Sequence, residues 1–103
     1  MVVRAFVLLP RERDEVDVLG KQMLRSGTSV ASHVREASRA RSDAEFCSKL
    51  GGLLQEADEA SLWMELLLED CGIGHSDLSA LHREAGELIA IFTTIVSKVR
   101  HRP

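Results

Sequence analysis

Few residues in this chain are of a type that can do chemistry, and their spacing excludes most of them. Cys71 and His75 stand four apart, a metal-like spacing. Tetrahedral zinc needs four ligands, or three and an open catalytic position, and no second such pair accompanies them. Glu56 and Glu59 lie one helical turn apart and would be half of a bundle di-metal site. Such a centre also needs Glu-x-x-His pairs on two helices, and the sequence has none. Salt bridges are the expected role of these two carboxylates. His33 falls beside the apolar line of its helix, where it could titrate at an interface, although a hydrogen-bonded interior histidine is the expected outcome. His82 has only Glu84 and Glu87 near it in sequence, and no Ser-His-Asp or Cys-His arrangement can be assembled from so few polar loop residues. Gly72-Ile73-Gly74 is not followed by the glycine or lysine of a phosphate loop, so it reads as a helix cap and turn. No catalytic residue, metal site, cofactor or small-molecule substrate emerges, and an enzyme is not expected.

Charge is the remaining functional signal. Thirteen Lys plus Arg against sixteen Asp plus Glu give a net charge of −3, which excludes wholesale attraction to polyanions. The distribution is uneven: residues 1–41 carry eight basic and five acidic groups, residues 42–90 two and eleven, and residues 91–103 three and none. Arg35, Arg39 and Arg41 together with Lys98, Arg100 and Arg102 could therefore make a phosphate-binding patch for RNA, repeated around an oligomer. The competing expectation is that these cations pair with Glu56, Asp58, Glu59, Glu65 and Glu69 of their own or a neighbouring subunit. Pairing is favoured, because no aromatic is interleaved with the basic residues and tyrosine is absent, so a base-stacking platform is missing.

The elements that position these residues are all helical. A length of 103 residues, 45% of them hydrophobic, is room for one domain covering residues 1–103 and too apolar for a disordered chain. Pro10 and the charged run after it isolate residues 2–9 as a short helix. From 14 to 40, Val16, Leu19, Met23, Gly27, Val30, Val34 and Ala37 alternate steps of three and four. Gly20 and Gly27 each cost up to ~1 kcal/mol in a helix interior, which close helix packing would explain. Ser42 and Glu45 make a capping box for a helix over 43–71, with the stripe Phe46, Leu50, Leu53, Ala57, Ala60, Met64, Leu67 and Cys71. Gly72 can supply its left-handed cap. Ser76 or Asp77 is expected to cap the last helix, 77–100, whose stripe is Leu78, Leu81, Ala85, Leu88, Phe92, Ile95 and Val99. No β-type alternation competes. The expected architecture is all-α, an antiparallel up-and-down four-helix bundle with a short, truncated first helix.

Two further expectations concern partners and place. Ala60 to Leu68 is apolar nearly all round its helix, more than one bundle face needs, so a second copy of the chain is the natural cover. Leu62, Trp63 and Leu66 are the candidate subunit-contact residues, with Trp63 equally readable as the edge of the core. Cys47 and Cys71 form neither a disulfide framework nor a CxxC pair, and Cys47 reads as a small core residue. No run reaches the ~18 apolar residues of a membrane span. A reducing cytoplasm fits these features.

The motifs Arg25-Ser26-Gly27-Thr28-Ser29-Val30, Arg35-Glu36-Ala37, Arg39-Ala40-Arg41-Ser42, Ala44-Glu45-Phe46 and Lys49-Leu50 occur in that order. Gln55-Glu56-Ala57-Asp58-Glu59, then Trp63 and Glu65-Leu66-Leu67, continue them. From about Leu19 onward the chain resembles the four-helix-bundle proteins encoded in 23S rRNA intervening sequences, the S23 ribosomal protein-like family. The resemblance implies a bacterial cytosolic homopentamer with no established enzymatic activity. It also implies kinship with a basic, pentameric branch, the accessory proteins of diversity-generating retroelements, which bind nucleic acid and a reverse transcriptase. Three departures stand out. The family's first helix is much longer than Val2 to Leu9, so either the start is mis-assigned or the bundle's fourth wall is incomplete. Ala31-Ser32-His33-Val34 stands where the family typically has Gly-Ala-Asn-Tyr. The net acidity separates this chain from the basic branch.

Overall fold

The structure, a computed structural model, describes residues 2–102. It contains α1 (Val2–Val7), α2 (Asp14–Ser38), α3 (Asp43–Glu65, continued by a wider π turn over Leu66–Asp70) and α4 (Ser76–Arg100). Among the described residues there is no strand. The protein is an all-helical four-helix bundle with a short first helix, 52 × 19 × 17 Å, and its helix ends fall within two residues of those expected from the sequence.

Local chemistry explains where each helix stops. Ser42 Oγ accepts the Glu45 amide at 3.1 Å, which satisfies one of the orphan donors at the start of α3. At the other end the Cys71 amide donates to the Leu66 carbonyl and the Ile73 amide to the Leu67 carbonyl, each at 3.0 Å. The chain reverses through Gly72 at φ 69°, the left-handed conformation that glycine adopts without a Cβ clash. α4 corrects one expectation. Its cap is the His75 imidazole, whose Nδ1 accepts the Leu78 amide at 3.1 Å, rather than Ser76 or Asp77. A ring nitrogen at the same reach as a capping oxygen satisfies the same backbone donor.

α3 lies centrally, packed against α2 on one side and α4 on the other. Leu50, Leu53, Ala57, Ala60, Met64 and Leu67 are buried, as the seven-residue stripe requires. The outer helices depart from their stripes. Val34 of α2 is 43% exposed, and on α4 Leu88 is 38% exposed while Val96, not Ile95, is buried. A straight helix drifts about 20° per heptad from a strict seven-residue repeat, so along α4 the inward line slips by one position. Leu88 and Ile91 are left on its outer shoulder, while Ile95 is half-buried against the core.

α1 runs antiparallel to α2 and packs between α2 and α4 over only one end of the bundle. The two α2 glycines make this seat. A Cβ on Gly20 would lie 2.7 Å from Leu9 Cδ1, and one on Gly27 would lie 2.7 Å from Val2 Cγ2. The expectation of close packing at these glycines is met, and α1 is what packs there. Arg4 pairs with Asp77 at 3.3 Å, which ties α1 to α4 as well.

Candidate functional site

α2 and α4 are both antiparallel to α3, so they run parallel and end together. Their last turns, with the first turn of α3, form one end of the bundle, and Arg35, Arg39, Arg41, Lys98, Arg100 and Arg102 are all exposed there. Topology thus brings together two cationic segments that are about sixty residues apart in sequence. Among the described residues, none of these six pairs within the chain with Glu56, Asp58, Glu59, Glu65 or Glu69. Arg25 takes Glu56 at 3.4 Å and also Glu59, while His82 takes Glu65 at 3.1 Å. The reason is reach: Glu56 lies thirteen residues into α3 from Asp43, about 20 Å along the axis, farther than an arginine at the bundle end can extend. The role expected of Glu56 and Glu59 as salt-bridge carboxylates is met, with Arg25 as their partner.

Of the six cations, Arg102 has a carboxylate at 3.4 Å, Asp43 at the start of α3. Both side chains are more than 60% exposed, so water and salt screen most of that attraction. A firmer cross-link sits one turn inward, where Lys49 Nζ and Glu36 Oε2 are 2.7 Å apart. The hydrogen bond between them, reinforced by their charges, holds the Glu36 carboxyl below its ordinary value and raises the Lys49 ammonium.

The apolar segment of α3 is covered more fully than its composition suggests. Ala60, Met64 and Leu67 are buried, and Trp63 and Leu68 pack against the same core. The return of the chain through buried Ile73 supplies part of that cover. Leu62 remains 47% exposed on the side of α3 away from the core, and Leu66 beside it is half-buried. Trp63 is also half-buried, with its Nε1 donating to Glu59 Oε1 at 3.3 Å.

Among the described residues no three His, Cys, Asp or Glu side chains converge to hold a metal ion. Cys47 is buried, as expected, and Cys71 is half-buried. The expectation of a hydrogen-bonded interior histidine fails at His33. Its ring lies over Gly52, and its Nδ1 is 4.0 Å from Glu36 Oε1, too far to bond, with no other partner found among the described residues. The cause is that Glu36 is drawn to Lys49 instead. Among the described residues no helix is long and apolar enough to cross a membrane.

The model of the 23S rRNA-intervening sequence protein family matches residues 2–94. The chain belongs to that family. A crystal structure at 1.70 Å of a family protein of unknown function, from the S23 ribosomal protein family of Bacteroides thetaiotaomicron, has the same fold with a TM-score of 0.80. It is 35% identical, and the match covers 92% of this chain and 87% of that one. No curated protein matches. The family therefore carries a fold and a genomic description, and the solved relative is described without an activity.

Sequence reasoning missed one surface of this family member. Beyond Val2, among the described residues, α2 and α4 flank α3 with no helix across them, which leaves an open groove of about 260 Å³ lined by Gly27, Val30 and Ala31 of α2 and Leu81, Ala85 and Leu88 of α4. Gly27, Val30, Leu81, Ala85 and Leu88 all lie on the apolar lines of their helices, but spacing alone does not say which stretch of a line goes uncovered.

Proposed function

We propose that this protein is a non-enzymatic, self-assembling module of the cytoplasm, a homo-oligomeric scaffold or interaction protein, with the five subunits that the family resemblance implies. The observation that carries the reading is Leu62, a large apolar side chain 47% exposed in the last turn of α3 before the π turn, with half-buried Trp63 and Leu66 beside it. A contiguous apolar face on the central helix of a small bundle is stabilised by covering it, and another copy is the partner always present at matching concentration. Light scattering coupled to gel filtration tests this. A mass of five times the 11.4 kDa chain is expected at micromolar concentration, and a mass at the single-chain value would overturn the reading.

A second reading rests on a different observation, the six exposed cations gathered at one bundle end. It is RNA binding, in keeping with the 23S rRNA intervening sequences for which the family is described. Single-stranded and structured RNA titrated at low and physiological salt would give a log–log slope of roughly −0.7 per single-strand phosphate neutralised. Charge reversal at Arg39 and Arg41 would flatten that slope. Binding indifferent to those two residues, or no saturable binding at low salt, leaves the scaffold reading alone.

A further inference from the structure

The four histidines answer acidification in different directions. His82 Nε2 lies 3.1 Å from Glu65 Oε1, so a protonated ring gains an ion pair there. His101 Nδ1 lies 2.6 Å from the Ser97 carbonyl, which only accepts, so that ring already donates and keeps its bond as a cation. His33 Nδ1 is 4.0 Å from Glu36 Oε1, and a positive ring is drawn to that carboxylate. His75 is the exception. Its Nδ1 accepts the Leu78 amide at 3.1 Å, which places the neutral ring's proton on Nε2, and Nε2 is buried with no partner among the described residues. A second proton would go on Nδ1, where it would face an N–H in place of an acceptor. It would also put a positive charge at the first turn of a 25-residue helix, the end at which the dipole is already positive.

The charged groups at this end of the bundle do not offset that cost. Asp77, two residues on, attracts a cation, but its carboxylate is already 3.3 Å from Arg4 of α1. Arg13, at the start of α2, donates to the Cys71 carbonyl at the head of the same turn at 2.9 Å and repels a further positive charge. Glu69 and Asp70 of the π turn are exposed, so water and salt screen them.

We propose that His75 is an acid-released latch on the turn between α3 and α4. With the ring neutral, the cap holds the first turn of α4, and with it the fully buried Leu78 and the tether from Asp77 to α1. As pH falls and the ring takes up a proton, the contribution of the cap is lost and residues 75–78 fray. Fraying stops one turn later, where protonated His82 holds Glu65 of α3 more tightly. The same step in pH loosens one turn and fastens the next, so the response is a local opening.

Amide exchange followed by NMR on the whole chain reads the latch. The control is built in, because the Glu45 amide is capped by Ser42 Oγ at the same 3.1 Å and a hydroxyl does not titrate in this range. Protection factors, which divide out the intrinsic pH dependence of exchange, are compared at about pH 7.5 and about pH 5.5, the range in which imidazole ordinarily charges. Protection of Leu78 should fall roughly tenfold, the loss of one cap, while that of Glu45 stays within about twofold. His75→Asn, whose side-chain oxygen caps at either pH, should keep Leu78 protected at both. His82→Gln should leave the fall in place, which excludes the neighbouring histidine as its source. Unchanged Leu78 protection in the unsubstituted chain would overturn the latch, and so would an equal fall in the His75→Asn variant.

Discussion

Two identical substitutions should move stability in opposite directions. Gly20 and Gly86 both sit inside long helices with ordinary backbone angles, so alanine at either relieves up to ~1 kcal/mol of helix propensity cost. Around Gly86 a new Cβ meets nothing within 4 Å, and that gain is realised in full. At Gly20 the same atom would lie 2.7 Å from Leu9 Cδ1 and 3.5 Å from two atoms of the Phe6 ring. Leu9 is buried, and Phe6 is held beneath the Arg11 guanidinium, 4.5 Å from its ring centre. The leucine methyl cannot swing into solvent without opening the core. Overpacking of this kind costs about 1–3 kcal/mol, which exceeds the propensity gain and leaves Gly20→Ala about 0–2 kcal/mol less stable. Urea titration at one fixed protein concentration separates the two, with a thermal shift of about 4–8 °C per kcal/mol for a chain of this size. Gly20→Ala stabilising as much as Gly86→Ala would refute the seating of α1 on α2.

Leu53→Ala, at a fully buried position of the central helix, should cost about 2–5 kcal/mol, read as a lowered urea midpoint with unchanged slope; a loss below about 1 kcal/mol would mean the cluster around it is loosely packed. Leu62→Ser should weaken assembly without moving the stability of the subunit by more than about 0.5 kcal/mol, whereas Trp63→Ala should lower both, because its ring also packs on the core and an interface tryptophan is worth ~2 kcal/mol or more. The Glu36–Lys49 pair should contribute stability on a plateau between two limits. The depressed carboxyl loses its contribution as pH falls through its folded value, and the raised ammonium loses its own as pH rises above its folded value. Lys49→Met should return the Glu36 titration, followed by NMR, toward 4.5, and an unmoved titration would mean that the pair does not form in solution.

The central helix was legible because it has a helix on either side, so its seven-residue line is buried from Leu50 to Leu67. The flanking helices were less so. Val34 and Leu88 fit the periodic rule yet are exposed, Leu88 at the open groove, and nothing in local spacing says where a neighbouring helix ends. The partner of Glu56 and Glu59 was misjudged for a related reason. Charge counts per segment carry no axial position, and it is axial position that puts Arg25, and not Arg35 or Arg39, level with them. The His75 cap was missed because imidazole is a rarer capping acceptor than the Ser76 and Asp77 side chains that follow it.

The basic end and the assembly of copies constrain one another. Lys98 and Arg100 occupy the last turn of α4, and Arg35 that of α2, where the helix dipoles already present partial negative charge, so part of their positive potential is spent locally. A ring that holds its subunits parallel would place every basic end on one face, where copies add through effective concentration. RNA affinity that rises steeply with assembly on a short oligonucleotide therefore belongs to the ring, and affinity unchanged by assembly belongs to the single chain.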